Sequence, residues 1–74
     1  MEERLIAIIA TVLRVPVSRL TLESGPDNLA EWDSLAQINV ISEIEAEFGV
    51  SIPIERVAEI RHIRDFLPHL EKTP

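Results

Sequence analysis

Two stretches of helical spacing, separated by a proline-bounded connection longer than either, constrain this chain more than any other feature. From Glu3 to Arg14 the apolar residues Leu5, Ile8, Ile9, Val12 and Leu13 recur at the three-and-four step of one helix face. Glu2 and Glu3 stand where the helix dipole favours acids, and Arg14 where it favours a base. Pro16 disfavours helical geometry at Val15, so this helix should stop there. The second stretch runs from Ser34 to Phe48 and meets Gly49, a residue free to take the left-handed geometry that closes a helix. Val40, Ile41, Ile44 and Phe48 form its expected inward set. Leu35 and Ile38 fall toward its start, where uncovered apolar residues suit a docking face; for Ile38 a place in the core is an equal alternative.

Residues 16–33 carry Pro16, Ser18, Ser24, Gly25, Pro26, Asp27 and Asn28, a loop composition. Val17, Leu20, Leu22 and Leu29 are scattered through it, so it should be pinned to a core rather than free. A connection of that length in so small a domain points to function. Asp27 or Asn28 is placed to cap a short turn through Leu29 to Trp32. After Val50-Ser51-Ile52-Pro53, a short helix is expected over Ile54 to Glu59. A last helix is expected from His62 to Leu67 and beyond, with Pro68 shortening, kinking or ending it and Glu71-Lys72-Thr73-Pro74 fraying. Residues 1–74 thus read as one all-α domain, an up-and-down four-helix bundle with one short helix.

Composition removes several functions. Thirteen acidic residues against seven basic give a net charge of −6, which opposes nucleic acid binding. An acidic surface is steered toward basic patches on other proteins, or simply keeps a small protein soluble. Without cysteine there is no disulfide or thiolate metal site, and a cytoplasmic setting is expected. No stretch approaches the roughly 18 apolar residues of a membrane span, and Met1-Glu2-Glu3-Arg4 lacks the basic start of a secretory signal. His62 and His69 have no ligand-like neighbours in sequence, so they read as surface or helix-end residues and no metal is expected. Glu43, Glu45 and Glu47 alternate along a helix, which spreads them over a solvated face. Nothing assembles a nucleophile, a base and an orienter, so no catalytic residue is assigned.

Ser34 is the residue with chemical promise. In Trp32-Asp33-Ser34-Leu35 it stands at the first turn of the second helix, where amides lack partners and negative charge is favoured. A phosphate ester there buries no unpaired charge. Two structural readings compete. Ser34-Leu35-Ala36-Gln37 matches a capping box; alternatively Asp33 is the cap and the Ser34 hydroxyl points outward.

The chain resembles the acyl and peptidyl carrier proteins over nearly all of its length. The likeness rests on Asp33-Ser34-Leu35 opening a helix that closes with Glu45-Ala46-Glu47-Phe48-Gly49-Val50-Ser51-Ile52-Pro53, followed by Ile60 and Ile63 at the junction of the last two elements. The resemblance implies an acyl carrier protein-like bundle in which Ser34 takes 4′-phosphopantetheine from coenzyme A, delivered by a magnesium-dependent phosphopantetheinyl transferase. Asp33 and Leu35 would assist that recognition. Trp32, Leu35, Ile38, Asn39, Ser42 and Glu45 would lie on or near the surface read by acyl-loading and acyl-processing enzymes. The arm's thiol would hold the cargo as a thioester, on a chain that is monomeric when free. The sequence departs from carriers of fatty-acid synthesis at Ala36 and Asn39, neutral where acids are usual, at Ser42, and at Glu31-Trp32 before the serine. Those departures lean toward a specialised-metabolite or other dedicated pathway. An aminoacyl or peptidyl carrier served by an adenylating enzyme is the alternative cargo, and an unmodified helical interaction module the alternative class.

Overall fold

The computed structural model describes residues 2–70, so the expectation of a fraying tail at 71–74 lies outside the described residues. Two long helices form the frame: α1, Glu2–Leu13, and α2, Ser34–Phe48. A single turn, α3, spans Ile54–Val57, and the last element is a 3-10 turn, Ile63–Phe66, that runs on into α4, Leu67–Leu70. Among the described residues there is no strand, and no helix is long and apolar enough to cross a membrane.

α1 buries Leu5, Ile9, Ala10 and Leu13 and packs along α2. Ile8 and Val12, read as inward, are only half-buried, because the buried stripe runs through Ala10 instead. The helix stops before Arg14 rather than at Val15. Arg14 takes left-handed geometry, φ 59°, while the Val15 N–H reaches back to the Ala10 carbonyl at 3.1 Å and the Arg14 N–H to Thr11 at 3.3 Å. This is the paired closure usually built on glycine. Val15 is thereby folded into the core.

The long connection is ordered by its own side chains. The buried Ser24 hydroxyl accepts from the Thr21 N–H at 2.9 Å. The Asn28 side chain accepts from the Gly25 N–H at 2.9 Å and donates to the Glu23 carbonyl at 3.0 Å. Asn28 thus braces the Ser24–Asn28 turn rather than capping the next one, and Asp27 pairs with Arg61. Leu20 is buried and Leu22 and Leu29 half-buried, as pinning requires; Val17, within a 3-10 turn over Val17–Arg19, remains exposed.

A second set of bonds latches this connection to the start of the last element. The Ile63 N–H donates to the Ser24 carbonyl at 2.8 Å and the Arg64 N–H to the Leu22 carbonyl at 3.0 Å. Ion pairs Glu23–Arg64 and Asp27–Arg61 flank them. The approach is so close that a Cβ on Gly25 would lie 1.9 Å from the Arg61 carbonyl oxygen. Only glycine fits there.

Pro68 does not end the last element. The Arg64 carbonyl that an α-helical residue 68 would use is already taken by the Leu67 N–H as the 3-10 turn closes. The missing proline N–H therefore leaves no acceptor unmet. Ile63, Phe66 and Leu70 point inward and complete a core with Trp32, Val40, Ile44 and Ile60.

Candidate functional site

The N-terminal end of α2 is punctuated by Asp33. Its backbone is extended, and its Oδ1 accepts from the Ala36 N–H at 2.9 Å. Capping therefore falls to Asp33, and the Ser34 hydroxyl is left exposed with no hydrogen-bond partner among the described residues. The amides of Ser34 and Leu35 likewise find no acceptor among them. An accessible hydroxyl beside two free amide donors, at the positive end of a fifteen-residue helix, is a fitting seat for a phosphodiester.

Gln37 is not half of a capping box. Its Oε1 accepts from the Trp32 indole N–H at 2.5 Å, and its Nε2 donates to the Ile60 carbonyl at 3.4 Å. That link fixes the turn preceding Ser34 to the start of the last segment. It also explains why Trp32, expected on the partner surface, is not there. The side chain is 1% exposed and among the largest in the core. With its one polar atom met by Gln37, a tryptophan gains most by burying its rings.

The other residues expected on the partner face divide. Leu35 is 68% and Ile38 64% exposed, which removes the core alternative for Ile38. Asn39 and Ser42 are exposed beside them. Glu45 is only half-buried and structurally engaged, since its carboxylate accepts from the Ile52 N–H at 2.7 Å. It belongs to the closing of α2 more than to an open face. Ile54, not singled out in the sequence, is the most exposed large apolar residue among those described, at 84%.

A groove borders Ser34, and Pro26, Trp32, Gln37, Ile38, Val57 and Arg61 are among the residues that line it with Ser34. Through Ile38 and Val57 it continues into an apolar trough with Ile41, Ile52 and Ile54 between α2 and α3. Sequence reasoning missed Gln37 and Arg61 as site residues. Gln37 carried a signal, its three-residue step from Ser34, but that signal pointed to capping; Arg61 is brought in only by tertiary closure.

Charge near the site is tied down. Arg19 and Glu31 meet through two hydrogen bonds of 2.8 and 3.2 Å, tethering the turn before Ser34 to the 3-10 turn at Val17–Arg19. The bond from Arg19 holds the Glu31 carboxyl below its ordinary range, and Glu31 in return raises the Arg19 guanidinium. Among the described residues no group of three or more His, Cys, Asp or Glu side chains is arranged to hold a metal.

Residues 3–70 match the model of the phosphopantetheine attachment site family. Acyl carrier proteins of Porphyromonas gingivalis are 31% identical over 71 residues, covering 96% of this chain and 91% of theirs. An acyl carrier protein of Rickettsia bellii is 27% identical over 71 residues, covering 96% of this chain and 83% of its own. With a helical frame that presents one free serine at the head of its second long helix, the chain belongs to the phosphopantetheine-bearing acyl carrier protein family, whose members carry cargo and do not catalyse.

Proposed function

We propose that Ser34 is the attachment point of the 4′-phosphopantetheine arm, and that the chain works as a single-domain, monomeric cytoplasmic carrier in a dedicated acyl pathway. The observation that carries this is the exposed, unbonded Ser34 hydroxyl next to an aspartate that has taken over the capping role. Loading by a phosphopantetheinyl transferase forms a bond from Ser34 Oγ to the pantetheine-side phosphorus of coenzyme A. It breaks the pyrophosphate link, releases adenosine 3′,5′-bisphosphate and frees the hydroxyl proton. The arm, once attached, supplies a thiol that holds cargo as a thioester. The chain's own residues do the rest. Asp33 holds the helix end in shape, the two free amides face the new negative charge, and Leu35, Ile38, Asn39 and Ser42 present the surface to enzymes.

An acyl cargo is favoured over an aminoacyl one by the trough that shares Ile38 and Val57 with the groove at Ser34, where Ile38, Ile41, Ile52, Ile54 and Val57 leave only Ser42 and Glu45 as polar lining among the described residues. A dedicated partner set is favoured by the first turn of α2, which holds no acidic residue. Partners that steer onto acids there find an apolar and neutral surface instead.

Incubation with coenzyme A, Mg²⁺ and a broad-specificity transferase, followed by intact mass measurement, tests the reading. The chain should gain one phosphopantetheine, and Ser34→Ala should gain none while melting as the parent does. An unmodified parent mass would refute it.

A further inference from the structure

Among the described residues, Arg61 is the one cation that lines the groove beside Ser34. Its position is fixed three ways. The Arg61 N–H donates to Asp65 Oδ2 at 2.9 Å, its carbonyl is pressed against Gly25, and its guanidinium meets Asp27 through Nε at 3.2 Å and through Nη2. The Asp27 contacts occupy two of the five guanidinium N–H donors and leave the others unassigned. Ser34 and Asp33 line the same groove, so a phosphodiester on Ser34 would sit beside Asp33, whose carboxylate accepts from the helix-end Ala36 N–H. A second negative charge next to a first calls for a cation within reach, and an anchored planar guanidinium suits two phosphate oxygens better than a loose ammonium.

We propose that Arg61 is a positioning residue for the arm: it keeps its bond to Asp27 and uses its remaining donors to hold the phosphodiester carried by Ser34, directing the arm along the groove between Pro26 and Val57. The inference rests on Ser34 being the attachment point. Because Arg61 and Asp27 are both more than half exposed, the contact contributes little to stability and is read by position rather than by melting.

The test uses the 74-residue chain loaded to completion and compares the ³¹P resonance of the parent, Arg61→Gln and Asp27→Asn, each folded and in urea, alongside the Arg61 Nε–H signal before and after loading. In the folded parent the ³¹P resonance should stand apart from its urea position, and loading should shift the Nε–H signal. Arg61→Gln should move the folded resonance most of the way to the urea value. Asp27→Asn, which keeps the arginine and one side-chain oxygen to accept from it, should move the resonance clearly less than Arg61→Gln does. An Arg61→Gln resonance unmoved from the parent overturns the proposal, as does Asp27→Asn moving it equally, which would trace the effect to a loosened loop. A parent chain that gains no phosphopantetheine is a different failure. It removes Ser34 as the attachment point, and this proposal with it.

Discussion

At its C-terminal end α2 closes on itself. The Glu45 carbonyl accepts from both Gly49 and Val50, Gly49 turns left-handed at φ 64°, and the Glu45 carboxylate then meets the Ile52 N–H. At its N-terminal end one side chain, Asp33, satisfies one amide, while Ser34 and Leu35 are left open among the described residues and Leu35 and Ile38 stand in solvent. The same helix therefore spends its polar groups on stability at one end and keeps them available at the other. A helix whose ends were both sealed would be more stable and would leave no open amides beside the Ser34 hydroxyl.

That asymmetry can be broken first at the closed end. Glu45→Ala strands the part-buried Ile52 N–H, and losing a partner of that kind costs about 1–3 kcal/mol. In a domain this small each kcal/mol lowers the melting temperature by about 4–8 °C, so calorimetry should see a large drop with loading of Ser34 intact. A melting temperature unchanged by Glu45→Ala would mean that the closed end is no firmer than the open one. Next comes the single cap. Asp33→Ala should cost about 1 kcal/mol in urea titration, and its effect should fall on loading as well, since the capped turn carries Ser34, the proposed attachment point.

A smaller effect concerns acid. Burial alone would push the Asp65 carboxyl up, but the N–H groups of Arg61 and His62, helped by the nearby His62 side chain, hold it below the ordinary carboxylate range. A carboxyl lowered by folding contributes stability above its unfolded value and loses it as pH falls through the folded value. Stability should therefore decline on acidification from the ordinary carboxylate range, about pH 4, downward, and Asp65→Asn should flatten that limb in urea titrations at stepped pH. The smallest change in stability is expected at the open end itself. Ile38→Ser, 64% exposed, should shift stability by no more than about 0.5 kcal/mol while lowering turnover of the loaded carrier by its acyl-processing enzyme. A clear loss of stability there would show that Ile38 supports the core after all.

Much of this was legible in the sequence, and the exceptions share a cause. The limits of α2 follow from local chemistry, an Asp-Ser start and a glycine stop, and the structure matches them to the residue. The end of α1 was less legible because Arg14, not glycine, takes the left-handed position, and nothing about an arginine announces that. Trp32 was misplaced because its sequence neighbours are surface residues, while its burial depends on Gln37 and Ile60 closing over it. Pro68 marks the last element as short, kinked or ended; the structure keeps it short but carries it past the proline, because a 3-10 turn, which frees the proline from needing an acceptor, leaves no pattern of its own. The serine was legible as a candidate, yet the choice between cap and free hydroxyl turned on a single Asp33–Ala36 hydrogen bond.

The buried indole has a practical consequence. Trp32 is the only tryptophan in a chain without tyrosine, and it lies two residues before Ser34 with its N–H held by Gln37. Ultraviolet excitation therefore interrogates one spot at the base of the turn that carries Ser34. Blue-shifted emission should report the folded state, and a change in its intensity should follow attachment of the arm in real time, with no label introduced.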